Sequence, residues 1–281
     1  SIGIFDPDMD RQIRDRRALH QDLSSAIRNG ELSLHYQPQA RTGHKLGDGD
    51  VTGFEALARW THPTRGLVLP DDFIPLAEES GLIVAMGEWV LREACREAAS
   101  WPNPKQISVN LSPVQFVHGD LVGLVHSILQ ETGLDPNRLE LEITEGVLIE
   151  DFERSLALLR RLKALGVRIS MDDFGSGYSS LSYFQAFPFD KIKIDRTFVM
   201  YLGCNPQSAA IVRAVIGLGH GLDVSILAEG VETPEQLGFL ADAGCDAVQG
   251  YFIGKPEPIA QYATLVGRPP HIPEATCRKA G

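Results

Sequence analysis

Apolar and polar residues alternate with a period of two, the spacing that sends successive side chains to opposite faces of a β-strand, in several of eight short strand-like stretches of the chain. The stretches are LSLHYQP (32–38), VTGFEALARW (51–60), QISVNLS (106–112), RLELEITE (138–145), VRISMDDF (167–174), KIKID (191–195), VSILAEGV (224–231) and AVQGYFI (247–253). From the second onward, segments with helical spacing separate them, at 71–100, 113–132, 151–165, a short one near 178–186, 206–220 and 234–243. Strand–helix alternation predicts a parallel sheet, and eight strands predict a closed (β/α)8 barrel of the TIM-like α/β class. One connection is different. Between the first two strands lies only RTGHKLGDGD, residues 41–50, with no helical pattern. A parallel crossover needs about a dozen residues or more, whereas antiparallel strands are joined by short loops. The first strand is therefore predicted to run antiparallel to the second. Ahead of the barrel, residues 6–30 read as a lead-in helix with Ile13, Leu19, Leu23 and Ile27 as its buried stripe and Gly30 as its stop. The expected division is a linker and lead-in helix over 1–30, a barrel over 31–265 and a loose tail over 266–281.

Strands of a parallel sheet beneath helices are usually apolar on both faces. These are not. Ile107 and Val109 oppose Ser108 and Asn110; Leu141 and Ile143 oppose Glu140 and Glu142; Ile169 and Met171 oppose Ser170 and Asp172; Ile192 and Ile194 oppose Lys191 and Lys193. A half-exposed antiparallel sheet would alternate in the same way, but helices intervene between the strands. The pattern instead predicts apolar side chains facing outward under the helices and polar ones facing into the barrel. The inward groups gather toward the C-terminal half of their strands: Glu55, Asn110, Glu142, Asp172 with Asp173, Lys193, Glu229 and Gln249. That end of a barrel is where such enzymes place their chemistry. Carboxylates do not crowd there unpaired, and Lys193 and Arg59 are too few to balance them. Oxygen ligands without a His or Cys cluster favour hard divalent cations, magnesium or manganese, over zinc. The adjacent Asp172 and Asp173 then read as serving two neighbouring cations, with one carboxylate bridging.

Composition narrows the function further. With 281 residues and 43% apolar content, the chain is an ordinary globular protein with no apolar run of membrane-spanning length and no signal-peptide pattern. The four cysteines, Cys95, Cys204, Cys245 and Cys277, form no CxxC pair. That argues against a zinc site or disulfide framework and fits a reducing, cytoplasmic setting. A formal net charge of -11 argues against binding a nucleic-acid polymer, so bound cations would have to attract any anionic substrate. The chain starts at Ser1, which suggests a piece of a longer protein and leaves open a parent anchored to the inner membrane. GSGYSS lacks the GK[ST] ending of a phosphate-cradling loop, and the eight histidines do not cluster at metal-ligand spacing.

The motifs YQP, EALARW, SVNLS, ELEITE, MDDFGSGYSSL, FDKIKID, AEGVET and QGYFIGKP, in that order over about residues 30–262, carry a family resemblance. The chain resembles the EAL-domain phosphodiesterases, which hydrolyse cyclic di-GMP to linear pGpG. The resemblance implies a barrel with a reversed first strand, in agreement with the short first connection. It implies that Glu55, Asn110, Glu142 and Asp172 bind one metal, and that Asp172 and Asp173 bind a second with Glu229 close by as ligand or general base. Lys193 would hold the attacking water, Gln37 and Arg59 would contact substrate, Gln249 would support the site, and Glu145 would anchor the DFGSGYSS loop. Two cations about 4 Å apart would then activate a water and stabilise the leaving oxygen, with two magnesium or manganese ions per site and calcium inhibitory. The loop at 41–50 looks a few residues longer than usual in the family. FDPDMDRQIRDRRAL resembles the segment joining a GGDEF domain to an EAL domain, so the parent is expected to carry GGDEF and sensor domains. A homodimer is expected through the surface beside DFGSGYSSL, with Tyr178, Leu181, Tyr183 and Phe184. The rival readings are a non-hydrolysing cyclic di-GMP receptor on the same fold, which can lose these ligands, and an unrelated metal-dependent barrel enzyme acting on enolates, which the motif order opposes.

Overall fold

The computed structural model describes residues 7–147, 151–175, 187 and 189–270, with side-chain environments from residue 18 onward. The strands are β1 (Leu32–Arg41), β2 (Val51–His62), β3 (Gly66–Val68), β4 (Gln106–Leu111), β5 (Leu139–Thr144), β6 (Arg168–Phe174), β7 (Lys191–Ile194), β8 (Ser225–Ala228) and β9 (Ala247–Gln249). The helices are α1 (Pro7–Asn29), α2 (Pro70–Ser80), α3 (Leu82–Ala99), α4 (Pro113–Val117), α5 (Leu121–Thr132), α6 (Phe152–Ala164), α7 (Arg196–Met200), α8 (Pro206–Gly221) and α9 (Pro234–Asp242). Around the barrel the strands run β1-β9-β8-β7-β6-β5-β4-β2, and pairing of β1 with β2 closes the ring. β1 is antiparallel to both β2 and β9, the short β3 is antiparallel to β2, and β2 and β4 through β9 run parallel to one another. The reversed first strand follows from the short connection, whose only regular piece is a 3-10 turn at Asp48–Asp50.

The core is the sleeve between barrel and helices. Ile107, Val109, Leu141, Ile143, Ile169, Ile192, Ile194 and Ile226 are fully buried on the outward face. Leu91, Cys95, Leu159, Leu162 and Val212 meet them from the helices. The barrel interior, by contrast, is polar: Ser108, Glu140, Glu142, Ser170 and Lys193 are buried as deeply as the core. The period-two alternation therefore separates an apolar sleeve from a polar lumen.

Several local expectations need correcting. The helical segment 71–100 is two helices, because Gly81 takes a left-handed conformation (φ 73°) that caps α2 and turns the chain into α3. Segment 113–132 is likewise split into α4 and α5. β3 and α7 were not expected; each is too short to show a period. The last two strands stop earlier than their sequence runs suggest, and the segments leaving them bond to each other through Val231 N–H to Gln249 O and Phe252 N–H to Val231 O. The lead-in helix is packed against the barrel: Leu23 and Ala26 are fully buried, and Asp22 accepts from His62. The start of the expected tail is also fixed, with Val266 fully buried and Arg268 paired to Glu97 at 2.7 Å. The short helix expected near 178–186 lies outside the described residues. No helix among the described residues is long and apolar enough to cross a membrane.

Candidate active site

Seven strands deliver polar side chains to one point inside the C-terminal mouth of the barrel, and Lys193 is at its centre. Its ammonium lies 2.6 Å from Glu142, 2.7 Å from Glu229, 3.2 Å from Asp172 and 3.5 Å from Glu55. Glu55 is held from both sides. Asn110 Nδ2 donates to its Oε1 at 2.6 Å, and Gln249 Nε2 donates to its Oε2 at 2.6 Å. Gln249 also donates to Gln37, whose own amide donates to the carbonyl of Gly254.

Four carboxylates share one ammonium, so their proton affinities separate. Burial raises that of Glu55, but Lys193 and the amides of Gln249 and Asn110 outweigh it and hold the group below the usual range. Glu142 is pushed well up by burial and then by repulsion from Glu55. Burial also takes Glu229 up to about 8 against the pull of Lys193, with Asp172 and Glu55 adding repulsion. Burial would depress Lys193, yet the surrounding carboxylates keep it well above its usual value, so it stays charged. Glu229 is the most open of the four carboxylates, with 18% of its side chain exposed against 12% for Asp172, 7% for Glu55 and none for Glu142.

The two adjacent aspartates reach the same site by a break in the sheet. β6 pairs Ser170 with Lys191 and Met171 with Ile192, then slips so that Phe174 faces Ile194. One extra residue is thereby accommodated at Asp172–Asp173, as in a β-bulge. Strict alternation would turn Asp173 out of the barrel. Instead its backbone takes φ 55°, a left-handed conformation that aspartate tolerates better than most residues, and its N–H donates to Asp172 Oδ1. Burial, then repulsion from Asp172 and Asp195, raises its carboxyl to about 6. Oxygens of Asp172, Asp173 and Glu229 all lie within 4.8 Å of one another. Glu142 Oε1 is buried with no hydrogen-bond partner. An all-oxygen donor set with an orphaned carboxylate oxygen fits a hard divalent cation. Glu55, Asn110, Glu142 and Asp172, the set expected around one metal, are here organised about the Lys193 ammonium.

A family profile described as EAL domain matches residues 20–256. The chain belongs to the EAL domain family. It is 57% identical over 256 residues to an uncharacterized signaling protein of Caulobacter vibrioides, covering 91% of this chain and 31% of that protein. It is 44% identical over 267 residues to the bifunctional diguanylate cyclase/cyclic di-GMP phosphodiesterase MucR of Pseudomonas aeruginosa, covering 94% of this chain and 38% of MucR. The chain thus spans about a third of the length of these relatives. A solved structure of the PaMucR phosphodiesterase in complex with c-di-GMP superimposes with a TM-score of 0.83 at 45% identity, covering 87% of this chain and 99% of that one.

Within this EAL domain, two of the residues singled out from sequence stand apart from the cluster. Arg59 is half buried toward the end of β2, and its guanidinium donates to the carbonyl of Ala58. Glu145 follows β5 and accepts from the N–H of Gly175 at 3.1 Å. An apolar cavity of about 430 Å³ between β2, β4 and helices α2 and α3 reaches the site only at its rim, through Asn110, Thr144 and Asp173. The structure adds residues to which the sequence reading gave no role. Asp195 caps α7 by accepting from Thr197, and its carboxylate helps to raise the carboxyl of Asp173. Beneath the cluster, Lys191, Glu140, Ser108 and Gln39 form a second buried polar tier. Their signal was the alternation itself: Glu140 and Lys191 lie two residues before Glu142 and Lys193, and Gln39 lies two after Gln37 on the reversed strand.

Proposed function

We propose that this EAL domain is a divalent-metal-dependent phosphodiesterase that hydrolyses cyclic di-GMP to linear pGpG. The carrying observation is the convergence of Glu55, Glu142, Asp172 and Glu229 on the single ammonium of Lys193, with Asp173 grouped beside Asp172 and Glu229. Five carboxylates against one ammonium leave a formal excess of four negative charges, which two divalent cations neutralise. Asp172, Asp173 and Glu229 would hold one cation, with Glu55, Asn110, Glu142 and Asp172 contributing to the other. Such cations, when bound, supply Lewis-acid polarisation of the phosphodiester and activation of water. Magnesium or manganese is the fitting choice, and calcium is expected to inhibit through its longer and looser coordination.

The chain's own groups do the rest. Lys193 holds the attacking water by hydrogen bonding. Glu229, the most open carboxylate, takes up its proton. Asn110 and Gln249 fix both oxygens of Glu55 by the bonds described above. Gln37 and Arg59 receive the substrate, and Glu145 pins the segment that follows Asp173. We further read residues 31–265 as the phosphodiesterase barrel of a longer GGDEF–EAL protein, cytoplasmic in location, which pairs as a homodimer through the surface next to the DFGSGYSSL stretch. The residues Tyr178, Leu181, Tyr183 and Phe184 named for that contact lie outside the described residues; sedimentation at micromolar concentration tests it.

The deciding experiment incubates purified protein and cyclic di-GMP with magnesium, manganese, calcium or excess EDTA, and separates the products by chromatography. The expected result is pGpG with magnesium or manganese and none with calcium or EDTA. Full activity in excess EDTA would falsify the metal-dependent reading, and binding without turnover in every cation would make the domain a receptor.

A further inference from the structure

The tier of polar residues beneath the active site has a direction. Lys191 Nζ donates to Gln39 Oε1 at 3.1 Å, Gln39 Nε2 donates to Gln249 Oε1 at 3.0 Å, and Gln249 Nε2 donates to Glu55 Oε2 at 2.6 Å. All four residues are buried. A lysine ammonium can only donate, and an ionised carboxylate can only accept. Lys191 therefore forces Gln39 to turn its oxygen down and its nitrogen up. Gln39 in turn forces Gln249 to present its oxygen to Gln39 and its nitrogen to Glu55. Amide orientation is ambiguous where both ends of a chain are neutral, but here both ends fix it in the same sense. Register supports the arrangement: Gln39 faces Gln249 directly across β1 and β9, and Gln37 faces Glu55 across β1 and β2. Lys191 is itself anchored by Glu140 at 2.6 Å, which also accepts from Ser108. Burial raises the Glu140 carboxyl, but Lys191 outweighs it, so the anchor stays charged.

We propose that Gln39 and Lys191 are positioning residues of this site, acting through Gln249 to set the orientation of Glu55 for cation binding. Their action touches no substrate atom. It rests on the reading of Glu55 as a metal-binding group of the phosphodiesterase. Gln249 is the branch point, because its one amide nitrogen serves both Glu55 and Gln37. If that amide reversed, an oxygen would face two acceptors at once.

Two substitutions at Gln39 separate positioning from packing. Gln39→Glu is nearly isosteric and gives Lys191 a charged partner, so a merely structural role predicts that it is the milder change. The relay predicts the opposite. The new carboxylate accepts from Lys191 but offers Gln249 only an acceptor, so Gln249 turns its nitrogen downward and its oxygen toward Glu55. Gln39→Leu removes the constraint without reversing it. Manganese binding to the purified proteins, measured by calorimetry without substrate, is expected to weaken about 10-fold for Gln39→Leu and about 100-fold for Gln39→Glu, the span seen for groups that orient metal ligands. Gln39→Glu should melt in chelator at or above the wild-type temperature. Wild-type manganese affinity in both variants, a larger loss for Gln39→Leu, or failure of Gln39→Glu to fold would each overturn the relay. Absence of turnover by the wild-type protein would instead remove the phosphodiesterase reading, while the binding order would still test the relay.

Discussion

Replacing Glu145 with alanine deletes the hydrogen bond that its carboxylate accepts from Gly175, at the edge of the proposed metal site. Glu145 is 6% exposed, and its Oε1 accepts from the N–H of Gly175, two residues after Asp173. Gly175 has φ 96°, and a β-carbon there would lie 2.9 Å from the ring of Phe198, so this position admits glycine alone and has no side chain to hold it. The carboxylate supplies that hold. A hydrogen bond to a charged group contributes about 1.5–3 kcal/mol. At 1.4 kcal/mol per factor of ten, full transfer of that energy into the placement of Asp173 corresponds to roughly 10–150-fold in cation affinity. Glu145→Ala should therefore need about 10–100-fold more magnesium for half-maximal rate, in line with other groups that orient metal ligands. Glu145→Gln keeps a neutral acceptor and should fall between. The melting temperature in chelator should stay close to wild type, because the bond orders a local segment and its loss removes no core packing. The assay is rate against magnesium concentration, with calorimetric manganese binding as a second readout. Wild-type melting together with an unchanged magnesium dependence would refute the anchor.

Three further outcomes are expected. In chelator, the protein should lose stability as pH rises from about 5 to 8: the carboxyls of Asp173 and Glu229 are raised in the fold to about 6 and about 8, above the usual carboxylate range, so the native state holds protons that the unfolded chain has released. A melting series with and without magnesium checks this, since the cation replaces those protons and should flatten the fall; a chelated protein that gains stability over that range would contradict it. Lys193→Met should lower turnover by at least about 100-fold while circular dichroism shows an intact barrel, because burial and repulsion from Glu55 already raise the proton affinity of Glu142 and ease the loss of its cation partner. Leu23→Ala, in the fully buried stripe of α1, should cost about 2–5 kcal/mol and lower the melting temperature by roughly 5–15 °C; no change would mean that the lead-in helix is a detachable linker.

Eight strands alternating with helices determined a closed barrel, and the alternation of apolar and polar residues along those strands determined its polar lumen, because a side chain's face on a strand depends only on its parity. The sequence likewise determined the reversed first strand, because a ten-residue connection without a helical pattern does not cross over a barrel. The same parity placed Glu55, Asn110, Glu142, Asp172 and Lys193 inside, and it had already put Glu140 and Lys191 on that face before any role was visible for them. Parity could not place Asp173, which by alternation points outward. Only the slip between β6 and β7 and the left-handed backbone at Asp173 turn it toward Asp172 and Glu229, and that slip is a property of two strands in register. Nor could a linear pattern show which carboxylate meets which donor. Lys193 touches side chains from β2, β5 and β6 and from the residue that follows β8, and the Lys191–Gln39–Gln249–Glu55 sequence joins four strands that are far apart in the chain. Such contacts depend on barrel closure, which brings β1 between β9 and β2 and so sets Gln37 and Gln39 against Glu55 and Gln249.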